Sequence, residues 1–111
     1  MSDVSGSAFL TSDIWHLTSF NMIARKFFVS GEVQGVGFRF FTQRIAARHQ
    51  VTGYVRNLAD GRVETLAQGQ PSAIEAFRLD LATGPRAAHV TGIEEVNLEQ
   101  VERYPSFRVE R

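Results

Sequence analysis

Over residues 24–30 the apolar positions alternate with polar ones: Phe27 and Val29 are interleaved with Lys26, Phe28 and Ser30, and Gly31 closes the run. A period of two predicts a half-buried strand. The period then lengthens. Phe38, Phe41, Ile45 and Ala46 recur at helical spacing as far as Gln50, which predicts an amphipathic helix. Two further strands are expected over residues 52–58 and 62–68, joined by Ala59-Asp60-Gly61, whose Asp-Gly pair is a strong hairpin signal. Ser72-Ala73-Ile74-Glu75 has the form of a capping box and starts a second helix with Ile74, Phe77 and Leu81 on one face. Gly84-Pro85 ends that helix. Residues 90–98 predict another strand, and residues 107–110 a short last one.

The element order is therefore β-α-β-β-α-β with a short extra C-terminal strand. This is the α+β, ferredoxin-like split βαβ sandwich, with a mainly antiparallel sheet and both helices on one face. In that topology the first and second strands run parallel with the third between them, so their carboxyl ends share one edge. The loop over residues 32–38 is then expected to face the end of the second strand, near Asn57.

Residues 1–21 lack such order. They mix Ser, Thr and Asp with scattered Phe9, Leu10, Ile14, Trp15, Leu17 and Phe20 and sustain neither period. We expect a poorly ordered leader over 1–21 ahead of one domain over 22–111; the alternative is a short helix over 12–20 anchored by Trp15. A length of 111 residues suits one domain, and 43% hydrophobic with 22% charged residues is ordinary globular composition. Twelve Lys+Arg balance twelve Asp+Glu, which argues against a nucleic-acid partner. The chain has no cysteine, which excludes disulfides, thiolate zinc sites and a Cys nucleophile. No apolar run approaches the ~20 residues of a membrane span, and no signal-peptide pattern opens the chain. A soluble, cytoplasmic, monomeric domain is the expectation.

The candidate chemistry sits in the loop Gly31-Glu32-Val33-Gln34-Gly35-Val36-Gly37-Phe38-Arg39, which joins a strand directly to a helix. Its glycines let backbone N–H groups converge, and the helix start adds unpaired N–H groups and the positive end of the helix dipole. Such a loop suits an oxyanion, most naturally phosphate. Arg39 falls in the first helical turn, where a cation opposes the dipole by roughly 0.3–1 kcal/mol, so it is poorly placed for helix stability alone. It is well placed to fork two N–H groups onto an anion. The loop matches neither the lysine-bearing nucleotide loop nor the Gly-x-Gly-x-x-Gly fingerprint.

Residues 29–39, Val-Ser-Gly-Glu-Val-Gln-Gly-Val-Gly-Phe-Arg, resemble the first signature of the acylphosphatase family, V-x-G-x-V-Q-G-V-x-F-R. Residues 53–64, Gly-Tyr-Val-Arg-Asn-Leu-Ala-Asp-Gly-Arg-Val-Glu, resemble its second, G-x-V-x-N-x-x-D-G-x-V-E. The resemblance covers about residues 24–111. It implies hydrolysis of the carboxyl–phosphate bond of a small acyl phosphate to a carboxylate and inorganic phosphate, with no metal, cofactor or covalent intermediate. On the same resemblance Arg39 and the amides of Gln34, Gly35, Val36, Gly37 and Phe38 bind the phosphoryl group, and Asn57 holds the attacking water.

Other residues carry blander readings. His16, His49 and His89 lack metal-ligand spacing. Ser30 has no Gly-x-Ser-x-Gly elbow around it. Asp60 is best used in the hairpin turn, Arg56 faces solvent beside the site, and Glu94, Glu95, Glu99 and Glu102 form a solvated acidic stretch. Phe27, Phe28, Phe38, Phe40 and Phe41 could stack on RNA, but alternation places several in the core. The competing function is a non-catalytic ferredoxin-like module binding RNA or a small ligand; the strand over 62–68 lacks the aromatic pattern of an RNA-binding sheet. Because both motifs lie beyond it, a chain started at Met22 is expected to keep its melting temperature and turnover. A large fall in melting temperature on truncation would show that Trp15 and its apolar neighbours pack on the domain.

Overall fold

The computed structural model describes residues 22–99 and 102–111. The expected leader over 1–21, with Trp15 and His16, lies outside them. Along the described chain run β1 (Ile23–Glu32), α1 (Phe38–His49), β2 (Thr52–Asn57), β3 (Val63–Gly69), α2 (Pro71–Thr83), β4 (His89–Leu98) and β5 (Phe107–Val109). They form one five-stranded sheet in the order β4-β1-β3-β2-β5. β3 is antiparallel to both β1 and β2, so those two strands run the same way and finish at one edge. β4 pairs antiparallel with β1, and β5 pairs parallel with β2 at the opposite border. This is the expected ferredoxin-like arrangement. No helix among the described residues is long and apolar enough to cross a membrane.

Alternation along the strands sends Phe27, Val29, Val55, Val63 and Ala67 to the helix-covered face. There they meet Phe38, Ile45 and Ala46 of α1 and Ile74, Phe77 and Leu81 of α2, all buried. Phe77 spans this layer, its ring centroid 6.1 Å from that of Phe27 and 6.2 Å from that of Phe107. Burying such a ring stabilises the fold by about 1.5–3 kcal/mol. The helices are joined outside the core as well, where Asp80 accepts from His49 Nε2 at 2.7 Å and pairs with Arg48 at 3.3 Å.

Two local expectations change. β1 does not stop at Gly31 but runs on to Glu32, because the register with β4 shifts between Ser30 and Gly31. The capping box does not form. Pro71 is the first helical residue and Gln70 the N-cap, with no side-chain cap bond. A proline ring pre-sets the helical φ and needs no N–H partner, so the helix starts there, and Ser72 falls inside the first turn. Glu75 instead pairs with Arg78 at 2.5 Å.

The helix-free face is closed by polar side chains. Glu64, only 4% exposed at its side chain, accepts from the Tyr54 hydroxyl and from Arg56 at 3.2 Å, with Lys26 at 3.7 Å. Residues 102–104 lie against this face. Gln68 donates to the Glu102 carbonyl at 2.7 Å and accepts the Tyr104 N–H at 2.9 Å, while the Tyr104 ring meets Tyr54 edge-on. β3 is consequently buried along its whole length on both sides.

Burial alone would raise the Glu64 carboxyl, but the bonds from Tyr54 and Arg56 and the charge of Lys26 outweigh it and hold the group below the usual carboxylate range. Burial, and then the bond to Glu64, push the Tyr54 hydroxyl well above its ordinary value. A depressed carboxylate adds stability that is complete above its unfolded pKa of about 4.3 and fades as pH falls through the lower folded value. Glu64→Gln is therefore expected to be about 1–3 kcal/mol less stable at pH 7 in denaturant unfolding. The gap to wild type should narrow below about pH 4. A gap independent of pH would contradict the charged network.

Candidate active site

The loop between β1 and α1 is shaped by two glycines. At Gly31, φ is +124°, and a Cβ there would lie 2.1 Å from the His89 carbonyl oxygen. Only glycine lets β1 pass so close to β4 while the bulge turns the chain toward the loop. Gly37 is the N-cap of α1 with φ 78°, in the left-handed region, and no side chain caps the helix. The first intrahelical bond runs from Phe41 N–H to the Gly37 carbonyl at 3.0 Å. The N–H groups of Phe38, Arg39 and Phe40 thus lie ahead of the helix's own bonding, and the first turn contains no acid. The positive end of the helix dipole is left to face whatever sits in front of it.

In front of it is a cleft of about 130 Å³ lined by Val33, Gly35, Gly37, Phe38, Arg39, Phe40 and Asn57. Asn57 is the last residue of β2, on the same face as buried Val55, and its backbone pairs with Val63. Its side-chain amide makes no hydrogen bond to any described residue. The hairpin after it closes without it: Leu58 N–H donates to the Arg62 carbonyl at 2.8 Å and Gly61 N–H to the Leu58 carbonyl at 3.2 Å. Asp60 Oδ1 accepts the Arg62 N–H at 3.1 Å, the turn role expected for it.

Arg39 reaches the same cleft from α1. Its Nη1 donates to the Glu110 carbonyl at 2.8 Å. That carbonyl is itself placed by β5, since Glu110 N–H donates to the Val55 carbonyl at 2.8 Å. One edge of the guanidinium is fixed by the backbone just after β5, and the rest of the fork stays available to an anion.

The candidate residues do not all meet. Gly35, Gly37, Phe38, Arg39 and Asn57 share the cleft, whereas Gln34 and Val36 do not line it. Val36 packs against the core. Gln34 Nε2 donates to the carbonyls of Leu58 at 2.8 Å and Arg62 at 2.9 Å. Its side chain thereby latches the loop onto the hairpin that begins one residue after Asn57. Nothing in the local pattern marks this contact, nor the Glu110 carbonyl that holds Arg39. Arg56 lies outside the cleft, in the Glu64 network. Among the described residues no three His, Asp or Glu side chains gather as they would around a metal ion.

Fold and cleft define a class: a ferredoxin-like α+β domain with an arginine-bearing cleft at the start of α1, where β1 and β2 end. The acylphosphatase family model matches residues 25–109. An acylphosphatase of Archaeoglobus fulgidus is 47% identical over 88 residues, 79% of this chain and 98% of that relative. Two solved structures are similar throughout. The acylphosphatase from Coxiella burnetii has a TM-score of 0.79 at 36% identity, covering 84% of this chain and 97% of its own. That from Bacillus subtilis has a TM-score of 0.78 at 35% identity, covering 80% and 99%. The chain belongs to the acylphosphatase family.

If Gln34 is the latch, Gln34→Ala removes two bonds between loop and hairpin. A loss of about 1–2 kcal/mol is expected, which lowers the melting temperature by roughly 5–15 °C. An unchanged melting temperature would contradict that role.

Proposed function

We propose that this cleft is where the chain hydrolyses the carboxyl–phosphate bond of acyl phosphates, giving a carboxylate and inorganic phosphate. The phosphoryl oxygens rest on the amides at the start of α1 and on the Arg39 fork, which is aimed by the Glu110 carbonyl. Asn57 holds a water on the opposite wall. The observation that carries this reading is the meeting of Arg39, the α1 amides and a side-chain amide with no partner among the described residues in one cleft. The cleft, about 130 Å³, has room for a phosphoryl group and a water.

The chemistry asks little more of the protein. The water oxygen bonds to phosphorus as the bond from phosphorus to the carboxylate oxygen breaks, and that electron pair leaves with the carboxylate. A proton of the water passes to a phosphoryl oxygen. A carboxylate is a good leaving group, so no general acid is needed, and positioning with charge stabilisation supplies the rate. A non-catalytic RNA- or ligand-binding role has no observation in its favour.

Asn57→Ala should lower kcat by about 10²-fold or more while inhibition by phosphate barely changes, since binding rests on Arg39 and the amides. Retained turnover with a lowered melting temperature would make Asn57 a hairpin residue instead. Arg39→Lys keeps the charge but not the planar fork, and should lower turnover by orders of magnitude and weaken phosphate inhibition. Near wild-type kinetics in folded Arg39→Lys would remove Arg39 from the mechanism.

A further inference from the structure

Arg62, the residue just before β3, is engaged through both its backbone and its side chain. Its carbonyl accepts Gln34 Nε2 at 2.9 Å and the Leu58 N–H at 2.8 Å, so the glycine loop and the hairpin meet on this one oxygen. Its side chain turns to the helix-free face. There the guanidinium carbon lies 4.9 Å from the centroid of the Phe28 ring. Nε donates to Asp60 Oδ2 at 2.9 Å, and Nη1 pairs with Glu94 Oε1 at 3.8 Å.

These contacts cross the sheet. Phe28 belongs to β1 and stands opposite Glu94 of β4, so the Arg62 side chain runs from the head of β3 over β1 to β4. Beyond Phe28, β1 reaches its bulge at Gly31 and delivers the glycine loop. Val63, the residue after Arg62, is the backbone partner of Asn57. The side chain therefore straps the strand that feeds the loop to the hairpin that carries Asn57. Its ion pairs alone contribute little to stability, because the Asp60 and Glu94 side chains are 54% and 72% exposed. A guanidinium plane laid on a ring is more directional than an ion pair, and Asp60 and Glu94 already balance its charge. The strap is suited to fixing geometry rather than to attracting an anion.

We infer that Arg62 is a positioning residue for the cleft: by gripping Phe28 and Glu94 it holds its own carbonyl in place for Gln34, and so sets the glycine loop against Asn57. This rests on the proposed function of the cleft. Arg62 does not line the cleft and acts through the Gln34 side chain. The Arg39 fork and the α1 amides lie on the loop side, whereas Asn57 lies on the hairpin side. A shift between the two sides leaves phosphate binding intact but spoils the alignment of water and phosphorus, on which rate depends steeply.

The test is a double-mutant cycle on acyl phosphate turnover, using Arg62→Ala, Gln34→Ala and the two combined. Inhibition by inorganic phosphate reports on the loop side of the cleft. Arg62→Ala is expected to lower kcat about tenfold, with KM and phosphate inhibition close to wild type. Gln34→Ala should lower kcat to a similar extent, and the double variant no further, because the strap has no effect once its latch is gone. Arg62→Lys keeps the charge without the stacking plane; its kcat should fall short of wild type, and it too should add nothing to Gln34→Ala. If Arg62→Ala melts below the assay temperature, Arg62→Lys carries the same cycle. Losses that multiply in the double variant would overturn the inference while leaving the proposed function standing. So would wild-type kcat in Arg62→Ala, or a defect confined to KM and phosphate inhibition, which is the mark of charge attraction. Wild-type protein that hydrolyses neither acetyl nor benzoyl phosphate would overturn the proposed function and this inference with it.

Discussion

β3 sits between two strands that run the same way, and the working parts of the domain depend on that placement. A parallel pair cannot be joined by a tight turn, so β1 and β2 are linked through α1 and brought side by side only by an antiparallel strand between them. Seven consecutive buried residues make β3 the least replaceable part of the sheet. Its helix-side residues Val63 and Ala67 belong to the core, and its other face carries Glu64, Leu66 and Gln68 beneath a polar cover. With β3 in place, the end of β1 and the end of β2 share one edge, and the glycine loop faces Asn57 without any further device.

Closer positioning comes from single hydrogen bonds. The Gln34 side chain fixes the loop to the hairpin, and the Glu110 carbonyl fixes Arg39 to the strand that borders β2. Both use neutral partners, so neither competes with an anion for charge. Part-buried bonds of this kind are each worth about 1 kcal/mol net, modest for stability, yet small displacements of an aligned group cost much more in rate. Nearby carboxylates are engaged elsewhere: Asp60 bonds to Arg62 in the turn, Glu64 lies on the opposite face with Arg56 and Lys26, and the Glu110 side chain pairs with Arg108. Among the described residues no carboxylate lines the cleft, which leaves the dipole of α1 and the guanidinium unopposed.

Much of this was legible in the order of residues. The strand and helix periods place Phe27, Val29, Ile45, Phe77 and Leu81 in the core, and Asp60-Gly61 gives the hairpin. The glycine loop ahead of a helix, with Arg39 in its first turn, marks the cleft proposed to hold an anion. Less legible are features whose cause lies far along the chain. Gln34 bonds across 24 and 28 positions and Arg39 across 71. Periodicity tells which face a residue takes but not which distant carbonyl it finds. The continuation of β1 beyond Gly31 belongs to the same group, because the partner that requires glycine there is the His89 backbone. Ser72 and Glu75 went astray for a local reason: Pro71 starts α2 too early for Ser72 to serve as cap. Of five clustered phenylalanines, composition does not separate exposed Phe40 from the core ones.

The central claim is that an oxyanion is held between the first turn of α1 and the end of β2. It is tested most directly by titrating inorganic phosphate into ¹⁵N-labelled protein and following the amide resonances. Saturable shifts are expected at the backbone amides of residues 35–40 and at the Asn57 side-chain NH₂, with little change at Glu64, Gln68 or Tyr104 on the other face of the sheet. Shifts gathered on that other face, or none that saturate, would contradict the account.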